Sequence, residues 1–147
     1  MRRTVVSQVM NVVVIYESRS GNTQRAAELI ASGVLRDGGH AAAYPSTAVD
    51  LAAVSQADLI VVGTWTDGLF FFGQRPGGSM RLWEMPEIHH KRAAVFCTYA
   101  KNPGKTVQKL ADLVEAKGAT VVGGDAFHRN NLVEETDNFV NGLLSLV

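Results

Sequence analysis

The sequence predicts an α/β fold in which a five-stranded parallel sheet is layered between helices on both faces. Three observations predict it. Apolar runs alternate with segments of helical period from end to end, which is the pattern of successive βαβ units. The runs are continuous rather than alternating, as strands buried on both faces must be. A hydroxyl- and glycine-rich turn, Ser18-Arg19-Ser20-Gly21-Asn22-Thr23, joins the first run to the first helical segment.

The first strand is read at residues 12–16, a stretch of valine and isoleucine ending in tyrosine. A helix follows at 21–35, with Ala27, Ile30, Ala31 and Val34 on one face and Gly38-Gly39 to stop it. The second strand, 41–44, is alanine-rich and carries the weakest pattern. A short helix after Thr47 has Asp50 three residues on, a capping-box-like pair. The third strand is 59–64, and 79–83 form a brief helix before Pro86. The fourth strand is 93–98. Its helix opens with Asn102 as cap and Pro103 in the first turn, turns Val107, Leu110 and Val114 inward and ends at Gly118. The fifth strand is 119–123. The last helix starts at Asn131 with Glu134 three residues later and buries Val133, Phe139, Val140, Leu143 and Leu144. About a dozen residues separate the start of the last strand from that helix, which leaves no room for a large insertion.

The chain has 147 residues, 46% of them hydrophobic, enough for one domain with a full core. Residues 1–9 are read as an N-terminal extension without chemistry, and 10–147 as a single domain. Met1-Arg2-Arg3 starts like a secretory signal, but Ser7, Gln8 and Asn11 interrupt the apolar stretch. Fourteen basic and fourteen acidic side chains cancel, so no overall field points to nucleic acid or a membrane surface. A single cysteine makes no internal disulfide, and a cytoplasmic location is the expectation.

The turn at 18–23 suits a phosphate without a lysine or a metal. The first N–H groups of a helix lack intrahelical partners, and the dipole places partial positive charge there. Ser18, Ser20 and Thr23 add hydroxyl donors, and Gly21 lets the backbone approach closely. Each hydrogen bond to such an anion contributes about 1.5–3 kcal/mol. The plainer alternative is that Ser20 or Asn22 is only an N-cap. In an open α/β sheet the ligand lies beyond the carboxyl ends of the strands. That rule selects the loops at 17–22, 65–78 and 99–104.

The turn resembles the phosphate loop of the flavodoxin family, with serine where threonine is more usual. Asp58-Leu59-Ile60-Val61-Val62-Gly63-Thr64-Trp65 and Ala93-Ala94-Val95-Phe96-Cys97-Thr98-Tyr99 are similar to the family's third and fourth strands, each running into a flavin-contacting loop. The resemblance covers the chain from Met10 onward. It implies a flavodoxin-like three-layer sandwich of strand order 2-1-3-4-5, in the short form of the fold. It implies FMN as cofactor, held by Ser18, Arg19, Ser20, Gly21, Asn22 and Thr23 at the phosphate end. Toward the ring it implies Thr64, Trp65, Thr66, Asp67, Gly68, Thr98, Tyr99 and Ala100. Trp65 and Tyr99 are the candidates for the two faces of the ring, where stacking adds about 0.5–1.5 kcal/mol. The alternative for Tyr99 is an ordinary strand-end tyrosine. Gly68 permits either orientation of the Asp67-Gly68 peptide, whose reversal in flavodoxins accompanies cofactor reduction. Phe70-Phe71-Phe72, between Gly68 and Gly73, either fills local core or covers something apolar.

The expected rim carries Arg19, Arg75, Arg81, Lys101 and Lys105 against Glu17 and Asp67, unlike the acidic rim of many flavodoxins, and this raises the expected reduction potential. Other motifs fail. Gly104-Lys105-Thr106 lacks the earlier glycine of a P-loop, Tyr99 standing in its place. No Gly-x-Gly-x-x-Gly follows a strand. His89-His90 precede the fourth strand, at the pole opposite the site, and no third metal ligand is near in sequence. Cys97 lies within an apolar strand and reads as a packed thiol. His128 follows the last strand, at the expected rim, and receives no role. A phosphorelay receiver would want aspartate where Thr64 and Trp65 stand. The expected function is electron transfer between redox partner proteins, a reductase and an acceptor, without catalytic side chains, metal or membrane insertion. Two alternatives remain: an NAD(P)H-dependent flavin or quinone reductase, and a non-redox binding module on the same fold.

Overall fold

The computed structural model of the chain describes residues 9–68 and 73–145; most of the expected N-terminal extension, and Phe70-Phe71-Phe72, lie outside these residues. The elements in chain order are β1 (Asn11–Tyr16), α1 (Asn22–Arg36), β2 (His40–Pro45), α2 (Leu51–Gln56), β3 (Leu59–Asp67), β4 (Arg75–Pro76), α3 (Ser79–Trp83), β5 (Arg92–Tyr99), α4 (Thr106–Ala116), β6 (Thr120–His128) and α5 (Leu132–Leu144). Five strands form a parallel sheet of order β2-β1-β3-β5-β6, which is the 2-1-3-4-5 order expected. The addition is β4, two residues that pair antiparallel with Thr66 and Asp67 at the end of β3. That pairing is why β3 continues three residues past Thr64, where the sequence pattern ended it.

Alternate side chains of each central strand enter separate cores. Val12, Val14, Val61, Ala94 and Phe96 face α1 and α5, where Ala27, Ile30, Val34, Phe139 and Val140 meet them. Val13, Ile15, Ile60, Val62 and Val95 face the other layer, with Val54 of α2, Leu82 of α3 and Leu110 and Val114 of α4. Phe96, Phe127 and Phe139 pack as a trio, Phe96 and Phe127 with centroids 5.3 Å apart and Phe127 and Phe139 edge to face at 5.3 Å. Room for Phe96 comes from Gly63 on the neighbouring strand, because a Cβ there would lie 2.0 Å from the ring. Arg36 and Asp137 tie α1 to α5 at 2.7 Å.

Several helix starts differ from the sequence pattern. Asp50 is itself the cap of α2, accepting from the N–H groups of Ala52 and Ala53, and Thr47 stays in the preceding turn. Pro103 lies before α4 rather than in it: Asn102 Oδ1 accepts from Gly104 N at 2.9 Å, Pro103 O accepts from Thr106 N, and Gly104 at φ +51° separates this turn from the helix. Val133 is 59% exposed, and Leu132, Thr136, Phe139, Val140 and Leu143 fill the buried stripe of α5. The helical period fits that set, and the hydroxyl of Thr136 is satisfied by Leu132 O at 2.6 Å. Finally, β6 runs five residues beyond Gly123. Gly123-Gly124 reads as a terminator, yet Gly124 is a packing glycine, since a Cβ would lie 2.8 Å from Val95 and Val107.

Gly63→Ala should therefore overpack the aromatic trio and destabilise the fold by about 1–3 kcal/mol. Urea unfolding at constant m-value checks this, and unchanged stability would contradict the packing described.

Candidate functional site

The strands end together at one pole. Trp65 on β3 is level with Thr98 on β5, and Tyr99 is level with His128 on β6. A cleft of about 280 Å³ opens there, lined by Arg19, Ser20, Asn22, Trp65, Thr66, Thr98, Tyr99, Ala100 and Arg129. Eight of these nine are among the residues expected from sequence. The rest of the expected set lies around this wall or supports it.

The turn before α1 begins from Ser18. Its Oγ accepts from Gly21 N and from Gln24 N, both at 3.2 Å, so Ser18 closes the turn and caps the helix from outside. The residue at the N-cap position is Gly21, at φ +98° and without a side-chain cap. Neither Ser20 nor Asn22 caps α1. Both face the cleft, bonded only loosely to each other at 3.5 Å. Asn22 and Thr23, the first residues of α1, present N–H groups that have no intrahelical acceptor. Thr23 is buried, and its hydroxyl shares a 2.8 Å hydrogen bond with that of Thr98, fastening the first turn of α1 to the end of β5.

On the opposite wall, the Trp65 indole lies over Gly77 and Gly78. A Cβ at Gly77 would be 2.0 Å from the indole, so glycine is required there by close approach. Gly77 N donates to Trp65 O at 2.8 Å, and the buried Thr64 hydroxyl donates to Gly77 O at 2.6 Å. Thr64 therefore braces the bed of Trp65 rather than lining the cleft. Asp67 and Gly68 lie beyond the cleft at the β3–β4 hairpin. Asp67 pairs with Arg75 at 3.6 Å and accepts from Gly68 N at 2.9 Å. Gly68 has φ +133°, and a Cβ would meet Gly73 O at 2.5 Å, so a β-branched replacement there would disturb the hairpin as well as the peptide.

Tyr99 is half-buried, with His128 edge-on at 5.2 Å. Burial, then the charge of Glu135, raises the phenol pKa above its ordinary value, so the hydroxyl stays protonated across neutral pH. His128 Nδ1 accepts from Asn130 N at 3.1 Å, and its backbone N–H donates to Glu135. Arg129 is what the sequence pattern missed, because the last strand was ended at Gly123; His128, expected near the rim without a role, stands beside Tyr99. A strand read through the apolar Ala126 and Phe127 would have brought Arg129 to the cleft. Among the described residues, two arginines and no carboxylate line it. On the rim, Arg81 pairs with Glu17 at 3.0 Å.

Two residues of the cleft wall also carry poorly satisfied buried polar atoms. Among the described residues Trp65 Nε1 is buried without a hydrogen-bond partner, and the buried Thr66 hydroxyl has only the Cys97 thiol beside it. Buried polar groups rarely stay unmet, and water or a ligand serves such atoms. Helix-start donors and two arginines at one side, two aromatic rings and poorly satisfied polar atoms at the other, fit a phosphorylated planar ligand. The family model of the flavodoxin domain matches residues 13–124.

The chain belongs to the flavodoxin family. FMN is the cofactor of that family and of this chain, and electron transfer to partner proteins is the family's role. Among solved structures, oxidised flavodoxin 2 from Bacillus cereus superposes with a TM-score of 0.73 at 20% identity, covering 93% of this chain and 99% of that one. Flavodoxin 1 from the same organism gives 0.70 at 22% identity, covering 92% and 98%. The two-electron reduced Megasphaera elsdenii flavodoxin gives 0.63 at 20% identity, covering 86% and 98%. At these identities the likeness shows the fold. No curated protein matches the chain in sequence. Among the described residues no helix is long and apolar enough to cross a membrane.

Cys97 lies in β5 just before the flavodoxin cleft. Burial pushes its thiol up to about 11, with Thr66 opposing and the Asp125 charge adding to the rise. At pH 8 about one thiol in a thousand is then ionised. A disulfide reagent should leave Cys97 unlabelled in the folded protein at pH 8 and label it fully in denaturant. Rapid labelling of the native protein would contradict this burial.

Proposed function

We propose that the chain is a one-domain electron carrier that takes electrons from a reductase and delivers them to an acceptor protein, with FMN held in the cleft between Trp65 and Tyr99. The observation that carries this reading is the make-up of the cleft wall. It offers donors for a phosphate, aromatic surfaces and arginines, but among the described residues no carboxylate, histidine or lysine that could work as an acid or base near neutral pH. Bound FMN supplies the redox chemistry, and the protein supplies orientation and electrostatics.

At the phosphate end, the N–H groups at the start of α1 and the side chains of Ser20 and Asn22 would hold the dianion, while Ser18 keeps the turn in shape. Arg19 would add positive charge from the same side. Thr66 and the Trp65 N–H are available to polar edges of the ring system. Trp65 is kept in place by Gly77 and Thr64, and Tyr99 by His128 and by the bond from Arg129 N to Tyr99 O at 2.9 Å. Trp65, Tyr99 and Ala100 lie at the protein surface, half-buried or exposed, so a partner can approach this edge. This arrangement orients a cofactor and leaves chemistry on a separate substrate to other proteins. A cytoplasmic setting agrees with the buried reduced thiol of Cys97.

Arg19 and Arg129 favour the reduced, anionic cofactor, so the potential should lie above that of a flavodoxin with an acidic cleft. Arg129→Gln removes one of these charges. Its FMN complex should titrate at a lower potential, by on the order of tens of millivolts. An unchanged or higher value would remove Arg129 from the electrostatics of the site.

The purified protein should bind FMN and quench its fluorescence, and Ser20→Ala should weaken binding roughly tenfold or more without altering stability. NAD(P)H alone should not bleach the anaerobic complex, whereas NAD(P)H with a flavodoxin reductase should. Direct bleaching would establish a reductase instead, and failure to bind FMN would establish a non-redox module.

A further inference from the structure

Among the described residues the buried acidic side chain is Glu17, 5% exposed, and nothing in the site as described above uses it. It stands between the last residue of β1 and Ser18 of the phosphate turn. Both carboxylate oxygens are engaged, each by a different part of the chain. Ser46, just after β2, donates its hydroxyl to Oε1 at 2.5 Å, and Arg81 of α3 donates from Nη1 to Oε2 at 3.0 Å. A buried carboxylate costs several kcal/mol unless its oxygens are satisfied in this way, so the three groups are held as a unit.

The same carboxylate is in contact with the bed of Trp65. A Cβ on Gly78 would lie 2.5 Å from Glu17 Cγ and 3.0 Å from the indole Cη2, which means both side chains crowd the same face of Gly78. Gly78 is also the N-cap of α3, at φ +61°, and α3 carries Arg81. The chain of contacts therefore closes on itself: Glu17 to Arg81, back along α3 to Gly78, and from Gly78 to both Glu17 and Trp65.

We propose that Glu17 is a positioning residue for the cofactor, acting through Arg81, Ser46 and Gly78 to hold Trp65 at its place in the cleft and to couple that ring to the phosphate turn. The proposal rests on the FMN reading given above. Glu17 touches no cofactor atom in this account. Its side chain sets where the indole lies, while its backbone leads directly into the turn that holds the anion, so one residue fixes the spacing between the two ends of the ligand. Arg81 is 66% exposed, so its replacement cuts into no core packing, while Arg81→Lys keeps a charge beside the buried carboxylate.

The test uses the full chain with FMN and the variants Glu17→Gln, Arg81→Met and Arg81→Lys, each also made with Trp83→Phe so that emission reports Trp65 alone. Dissociation constants for FMN and for riboflavin, the emission of Trp65 in the free protein, and the visible circular dichroism of the bound flavin are measured. Glu17→Gln and Arg81→Met should weaken both ligands roughly tenfold and shift Trp65 emission and the dichroism. Arg81→Lys, which keeps the charge, should recover most of each change. Wild-type affinity and an unmoved Trp65 signal in Arg81→Met would overturn the proposal, as would a lower melting temperature with no change in those signals. Should Glu17→Gln fail to fold, the two Arg81 variants decide the matter. Absence of FMN binding by the parent protein would instead remove the reading on which the proposal rests.

Discussion

Burying both faces of β1, β3 and β5 leaves the chain no place for polar chemistry except where those strands end. Nearly every side chain along them goes to one of two apolar cores, and the backbone groups are consumed by the parallel ladders. The carboxyl ends are different: there, peptide groups, hydroxyls and helix starts meet at a single pole, and what the pole contains is decided by a few connecting residues. The site follows from this restriction. Tyr16, Trp65 and Tyr99 are the points at which successive central strands pass from core to cleft.

At that pole the division of labour among hydroxyls is instructive. Ser18 and Thr64 spend theirs on shaping backbone, one closing the turn before α1 and the other bracing Gly77. Thr23 and Thr98 spend theirs on each other and so fix a helix to a strand. Ser20 keeps its own for the cleft. Similar side chains at similar positions thus serve construction in some places and ligand binding in others. Sequence alone does not separate the two groups, because the distinction depends on which neighbour lies within hydrogen-bond reach across a gap of tens of residues.

The alternation of strands and helices and the location of the cleft were legible because local periodicity and the composition of one turn carry them, whereas strand order came from the family resemblance. The rule that ligands sit beyond strand ends selected the loops of Trp65, Tyr99 and the 18–23 segment, and the structure brings these loops to one pole. The misses have specific causes. Gly123-Gly124 looks like a stop, yet the second glycine is there because Val95 and Val107 leave no room for a Cβ, and ending the strand too soon hid Arg129. Pro103 looks like a first-turn proline, but Gly104 takes a left-handed conformation beside Gln74 and delays α4. Val133 fits an apolar stripe only if the helix phase is one residue off. The clasp at Glu17 was invisible, since its partners are 29 and 64 positions away.

The register of the outermost pair has a consequence of its own. Opposite the step from Ala93 to Ala94, the ladder jumps from Val121 to Gly123, so Val122 has no partner. β6 borders the sheet on one side and pairs with β5 alone, for nine residues that include neither proline nor lysine. A flat border of that length is a template on which another extended chain can lay itself down. The unmatched valine bends and twists the border midway. The irregularity thus acts as a guard against sheet-to-sheet accretion, and straightening it would trade solubility for a tidier ladder.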